Sequence, residues 1–206
     1  MPRLPLGDLE GALKDPIAYR QKLQRAVSRF YRPSYFGALR DAIFKFHRTN
    51  SNVVQARRYL EGRLARFADI ARSTEIMDQF EWYTGEYSSR GWPAFETRLR
   101  LVVPLPPWVP QDLFCSGEVS RVDMVPAGGY AAWLMRSREG ENWSRELRMP
   151  LIQGALASRT LGAQGNEVRI GIICFEDRLI DLRSYSQREI ARAYSKLENL
   201  LRQMGF

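Results

Sequence analysis

A chain of 206 residues that is 45% hydrophobic and 12% aromatic can bury a substantial core, which excludes a disordered protein. No apolar run reaches the roughly 18–20 residues that span a bilayer, and the start MPRLPLGDLEG lacks the apolar stretch of a secretory leader, so a cytoplasmic location is expected. A formal charge of +8 points to a polyanionic partner, most often nucleic acid.

The first half reads as helices. From Pro16 to Phe30, Ile17, Leu23, Ala26, Val27 and Phe30 recur at helical spacing, with Arg20, Lys22, Arg25 and Arg29 around them. Pro33 interrupts, and a second helix is expected from Ser34 to His47, with Phe36, Leu39, Ile43 and Phe46 as its apolar face. A third runs from about Asn52 to Ile70. Its stripe is Val53, Ala56, Leu60, Leu64 and Phe67, and Arg57, Arg58, Arg63 and Arg66 lie largely off it. Ser73-Thr74 begins a short helix carrying Phe80, Trp82 and Tyr83, and Gly85 to Pro93 reads as a loop.

The second half changes period. Ala94–Val103 and Phe114–Val125 are strand-like, separated by PLPPWVPQD, which has too few donors for a central strand. Pro126 to Gly129 is a turn and Tyr130–Arg136 a third strand. After the polar SREGEN a helix is expected from about Ser144 to Thr160, then strands Val168–Phe175 and Leu179–Leu182. Ser186-Gln187-Arg188-Glu189 is a capping box that opens a last helix faced by Ile190, Tyr194, Leu197, Leu201 and Met204. No repeat or linker divides the chain. One domain over 1–206 is expected, with a helical portion at about 1–93 and a β-β-β-α-β-β-α core at about 94–206. The class is α/β, a mixed sheet flanked by helices.

Cys115 and Cys174 lie far apart in apolar stretches and read as buried free thiols, with no thiolate set for zinc or an iron–sulfur centre. The basic residues are arginines except Lys14, Lys22, Lys45 and Lys196. Arginine grips phosphate bidentately, although a GC-rich genome would produce the same usage. His47 is the only histidine and is read as ending a helix; no Ser/His/Asp or Cys/His set forms around it, and no phosphate-binding GxxxxGK[ST] loop is present. Trp82, Tyr83, Tyr87 and Trp92 near Arg90 could stack on unpaired bases or be ordinary packing.

The stretch FCSGEVSRVDMVPAGGYAAWLMR, from Phe114 to Arg136, resembles the RecB-type members of the PD-(D/E)XK nuclease superfamily. Their pattern is G-x-I/V-D-R-V/I-D, a Gly-containing turn, and a strand ending D-Y-K-T. Gly117, Val119, Arg121, Val122 and Asp123 match the first part, and Gly128-Gly129-Tyr130 the turn. LRMPLIQGAL stands where the family often carries Q-L-P-L-Y, VRIGIICFEDRLIDLRSYSQREI resembles its ending, and Glu96 resembles a glutamate that often begins its first strand. The resemblance runs from about Tyr35 to the C-terminus and is sharpest from Glu96. It implies a restriction-endonuclease-like core.

Members of that superfamily hold Mg²⁺ or Mn²⁺ with carboxylates from two adjacent strands, and the metal activates water at a scissile phosphate. Here the acidic position is Ser120, the D-x-K pair falls on Leu134 and Arg136, and the helical Q and Y fall on Arg148 and Ile152. Leucine cannot ligate a hard cation and arginine does not transfer protons near neutrality. The resemblance therefore implies an inactivated nuclease, needing no cofactor, that binds DNA or RNA beside a helicase or an active nuclease in repair, recombination or defence.

Two alternatives stay open. Glu118 shares strand parity with Ser120, and Glu96 could lie on the neighbouring strand, so the two could form a relocated Mg²⁺ or Mn²⁺ site; otherwise they are solvated or paired with arginines. Alternatively the basic surface meets an acidic protein partner. Arg136 and Arg148 could turn the old metal pocket into an anion site, or pair with Glu96 or Glu118. Asp123 is expected to pair with Arg121 or cap the turn. The nucleic-acid-binding candidates are Arg136, Arg148, Arg57, Arg58, Arg63, Arg66 and Arg90.

Overall fold

The computed structural model describes residues 3–24, 33–138, 140, 142–159 and 167–206. Its helices begin where short polar side chains satisfy the free N–H groups of a first turn. Ser34 caps α3 (Tyr35–Arg48), Asn52 caps α4 (Val53–Leu64) and Asp69 caps α5 (Ile70–Arg90), each accepting from the backbone N–H three residues on. Ahead of them lie the short β1 (Arg3–Pro5), α1 (Leu9–Lys14) and α2 (Pro16–Gln24). The rest of the helix read to Phe30, with Arg25, Val27 and Arg29, lies outside the described residues.

Two helix limits differ from those expected. The third helix stops at Leu64, because Asp69 caps a new one that starts at Ile70, before Ser73. That helix then runs through Gly85 and the serines to Arg90, where a loop was expected. Buried Tyr83 and Thr84 tie it to the core, Ser88 and Ser89 return their hydroxyls to carbonyls of the preceding turn, and Gly91 ends it at φ 65°.

The strands fall within a residue or two of expectation: β2 (Ala94–Val103), β3 (Phe114–Met124), β4 (Tyr130–Arg136), β5 (Val168–Cys174) and β6 (Leu179–Arg183). The helix expected from Ser144 is split. A 3-10 turn covers Trp143–Arg145, and α6 (Arg148–Arg159) follows with Pro150 in its first turn, where a missing N–H is harmless. Thr160 lies outside the described residues. The capping box forms as read: Ser186 and Glu189 cap each other's backbone and open α7 (Gln187–Gln203).

The sheet is mixed, in the order β1-β3-β4-β5-β6 with β2 also paired to β3. The β4–α6–β5 connection joins parallel strands, while β2–β3, β3–β4 and β5–β6 are antiparallel. One face, with Leu101, Val122, Leu134 and Ile172, packs on residues of α1, α6 and α7. The other, with Ala131, Trp133 and Ile173, packs under α3, α4 and α5. Helices cover both faces, so the class is α/β with a mixed sheet flanked by helices. Cys115 and Cys174 are buried and free, and burial pushes the Cys115 thiol up to about 12. Among the described residues no helix is long and apolar enough to cross a membrane.

Candidate functional site

The site arises where β3 and β4 part. Their ladder pairs Arg121 with Trp133 through Met124 with Tyr130, and goes no further. Beyond it Leu134, Met135 and Arg136 keep their pairing with β5 alone. On the same edge of β3, Phe114, Cys115 and Ser116 pair with β1. Gly117 to Ser120 are thus left between two partners. Where the ladder fails, the Ser120 hydroxyl accepts from the Met135 N–H at 3.1 Å.

The strand is also irregular here. Val119 and Val122 belong to the same apolar cluster, although a regular strand places residues three apart on opposite faces. Arg98 stands across the sheet between the pairs Thr97–Arg121 and Leu99–Val119, opposite Ser120, at φ 56°, a conformation rarely adopted by a non-glycine residue.

The gap is filled by the chain itself. Pro5, Leu6 and Gly7 enter it, and a Cβ on Gly117 would stand 2.9 Å from the Leu6 side chain. A cavity of about 250 Å³ remains, walled by Arg3, Leu6, Glu118, Leu134, Arg148 and Ile152 among others. Glu10, one turn further on, accepts from the Leu147 N–H at 2.6 Å and so ties α1 to the start of α6. This N-terminal lining was not anticipated. The alternation of Leu4 and Leu6, both buried, was its signal.

Three of the five motif positions, Leu134, Arg148 and Ile152, line this cavity. Their chemistry is apolar and cationic. Arg136 and Arg148 both donate to Oε2 of Glu146 at 2.7 Å. Burial opposes ionisation of Glu146, but the hydrogen bonds and charges of the two arginines outweigh it and hold its pKa below the usual carboxylate range. The carboxylate partner is therefore Glu146, in place of Glu96 or Glu118; it lies in a loop with no periodic signal.

The relocated carboxylates do not converge. Glu96 is opposite Val122, whereas Glu118 is opposite Arg100, four register positions away and about 13 Å along the strands. Glu118 lines the cavity but pairs with Arg98 at 3.6 Å. A divalent ion of the kind the fold resemblance implies needs several oxygen ligands. Ser120, Leu134, Arg136 and Arg148 do not supply them, and among the described residues no three His, Cys, Asp or Glu stand together to hold a metal. The residues present do not fit that group.

Behind the sheet lies a buried polar cluster, largely built on the Arg121–Asp123 match. Arg121 and Asp123 are 2% and 0% exposed and pair at 2.7 Å, and Trp133 Nε1 donates to the same Asp123 oxygen. Arg121 also donates to the Tyr83 hydroxyl, which stands 2.6 Å from His47 Nε2. Arg121 can only donate, so Tyr83 accepts from it and turns its own hydrogen to His47. Burial, then the charge of Arg121, lowers His47 to about 3, so its ring is neutral. This cluster faces α3 and α5, away from the cavity, and its role is architectural.

The other arginine candidates are dispersed. Arg57 pairs with Glu61 and Glu81, and Arg63 with Asp41. Arg90 lies over the rings of Trp92 and Trp133. Arg58 and Arg66 are exposed and carry no ion pair among the described residues. Trp82 packs edge-on against Phe175 and Trp92 leans on Trp133, so these rings take part in packing.

The "putative exonuclease" of Eubacterium rectale superposes with a TM-score of 0.54 at 10% identity, over 99% of this chain and 82% of that one. The two chains share a fold. A second solved protein, SSO0001, aligns with a TM-score of only 0.38 at 9% identity, over 94% of this chain and 87% of that one. No family model and no curated protein matches the sequence.

Proposed function

We propose that the chain is a pseudonuclease: it binds nucleic acid through a nuclease-like fold and does not cleave it. The observation that carries this reading is the pair Arg136 and Arg148, which stand at the motif positions and share the Glu146 carboxylate. A cation-binding set is replaced by cations, of which Arg148 lines a gap already entered by Leu6. The net charge of +8 supports a polyanionic ligand, held by phosphate contacts and released counterions. In this reading DNA is the main ligand and neither Mg²⁺ nor Mn²⁺ is required. The protein works in the cytoplasm as a non-catalytic subunit or accessory factor, beside a helicase or an active nuclease, in repair, recombination or defence.

The test is an oligonucleotide binding and cleavage assay with and without Mn²⁺. Salt-sensitive retention of intact strands is expected. Metal-dependent products that disappear in Glu118→Ala would instead establish a relocated nuclease, and a stoichiometric protein partner without nucleic-acid binding would establish a scaffold.

A further inference from the structure

A second basic site lies apart from the β3–β4 gap. The approach to α6, the end of β6 and the first half of α7 border an open groove of about 410 Å³, within the volume range of small-ligand sites. Arg145, Arg183, Arg192 and Lys196 line it against a single carboxylate, Glu189. That carboxylate is already committed. One oxygen accepts from Arg183 at 2.7 Å, and the other from the Ser186 N–H and hydroxyl at 2.8 Å. Arg145, Arg192 and Lys196 have no carboxylate partner among the described residues, whereas Arg57, Arg63, Arg136 and Arg148 are all ion-paired. Arg192 and Lys196 are four apart on α7 and so share one face.

The remaining wall is apolar. Leu147, Pro150 and Ala193 form it, and Tyr185 is held in place by donating its hydroxyl to the Ser144 carbonyl at 2.5 Å. Three unneutralised cations beside an apolar wall match a molecule with phosphate at one end and a sugar and base at the other. We propose that this pocket is a nucleoside-phosphate site, with Arg145, Arg192 and Lys196 on the phosphate. A nucleotide within a strand and a free nucleotide share this chemistry. The inference goes beyond nucleic-acid binding in general, because it assigns a place for it.

The test titrates the full chain with a 5′-phosphorylated oligonucleotide, adenosine 5′-monophosphate and inorganic phosphate. Wild type is compared with Arg192→Gln/Lys196→Gln and with Lys14→Gln/Lys45→Gln, which removes equal charge from exposed positions elsewhere. The pocket pair should weaken oligonucleotide binding about tenfold and reduce the salt slope by about two, against less than about threefold for the control pair. Equal losses in the two pairs would overturn the site while leaving nucleic-acid binding intact. Pocket-dependent binding of adenosine monophosphate without oligonucleotide binding would support the site and overturn the nucleic-acid reading. Binding of inorganic phosphate as tight as the nucleotide would overturn the role of the apolar wall, and no binding of any ligand would overturn the site.

Discussion

Arg136 and Arg148 are joined through one atom: Nη2 of Arg136 and Nε of Arg148 each lie 2.7 Å from Oε2 of Glu146. Two cations on one carboxylate leave one excess positive charge at the mouth of α6. All three side chains are less than a quarter exposed. Their charges are therefore screened less than those of a surface pair.

Glu146→Gln removes the charge that both guanidinium groups answer to. It should cost about 1–3 kcal/mol of stability, measured by urea unfolding. Because Glu146 has a folded pKa below its unfolded value, its contribution is present above the ordinary carboxylate range and lost as pH falls through the folded pKa. The variant should differ from wild type at neutral pH and converge with it in acid.

Leu6 and Gly117 should be energetically coupled. Gly117→Ala places a methyl 2.9 Å from the Leu6 side chain and should cost about 1–3 kcal/mol. Leu6→Ala, at a site 3% exposed, should cost about 2–4 kcal/mol. The double variant should lose less than the sum by at least about 0.5 kcal/mol, and strict additivity would mean that Leu6 does not occupy the gap.

The Arg121–Asp123 pair should tolerate joint replacement better than single replacement. Arg121→Met strands a fully buried carboxylate and should cost about 3–5 kcal/mol in chemical denaturation. Arg121→Met with Asp123→Leu should recover part of that loss, since no uncompensated charge remains.

His47 predicts an acid-labile fold. Its pKa falls from an unfolded value of 6.5 to about 3, so the unfolded chain takes up a proton first as pH drops. Stability should be fully present above about pH 6.5 and decline at up to about 1.4 kcal/mol per pH unit toward pH 3. In His47→Gln the slope between pH 6 and 4 should be shallower.

The strands and the final helix were legible because local signals and burial agree: alternation in Leu99, Leu101 and Val103, and the Ser186–Glu189 capping box. Gly85–Arg90 misled because glycine and serine propensities were overridden by packing of Tyr83 and Tyr87. The site was legible in its positions, since Leu134, Arg148 and Ile152 do line one cavity. Its partners were not. Glu146 sits in a loop without periodicity, and the positive φ of Arg98, the partner of Glu118, is not foreseen by simple alternation.

The most direct test incubates the chain with single- and double-stranded DNA and with RNA, with and without Mn²⁺, at two salt concentrations. Retention of intact strands that weakens steeply with salt and is indifferent to metal is the predicted result. Metal-dependent cleavage that is lost in Glu96→Ala or Glu118→Ala, or no binding at the lower salt, would contradict it.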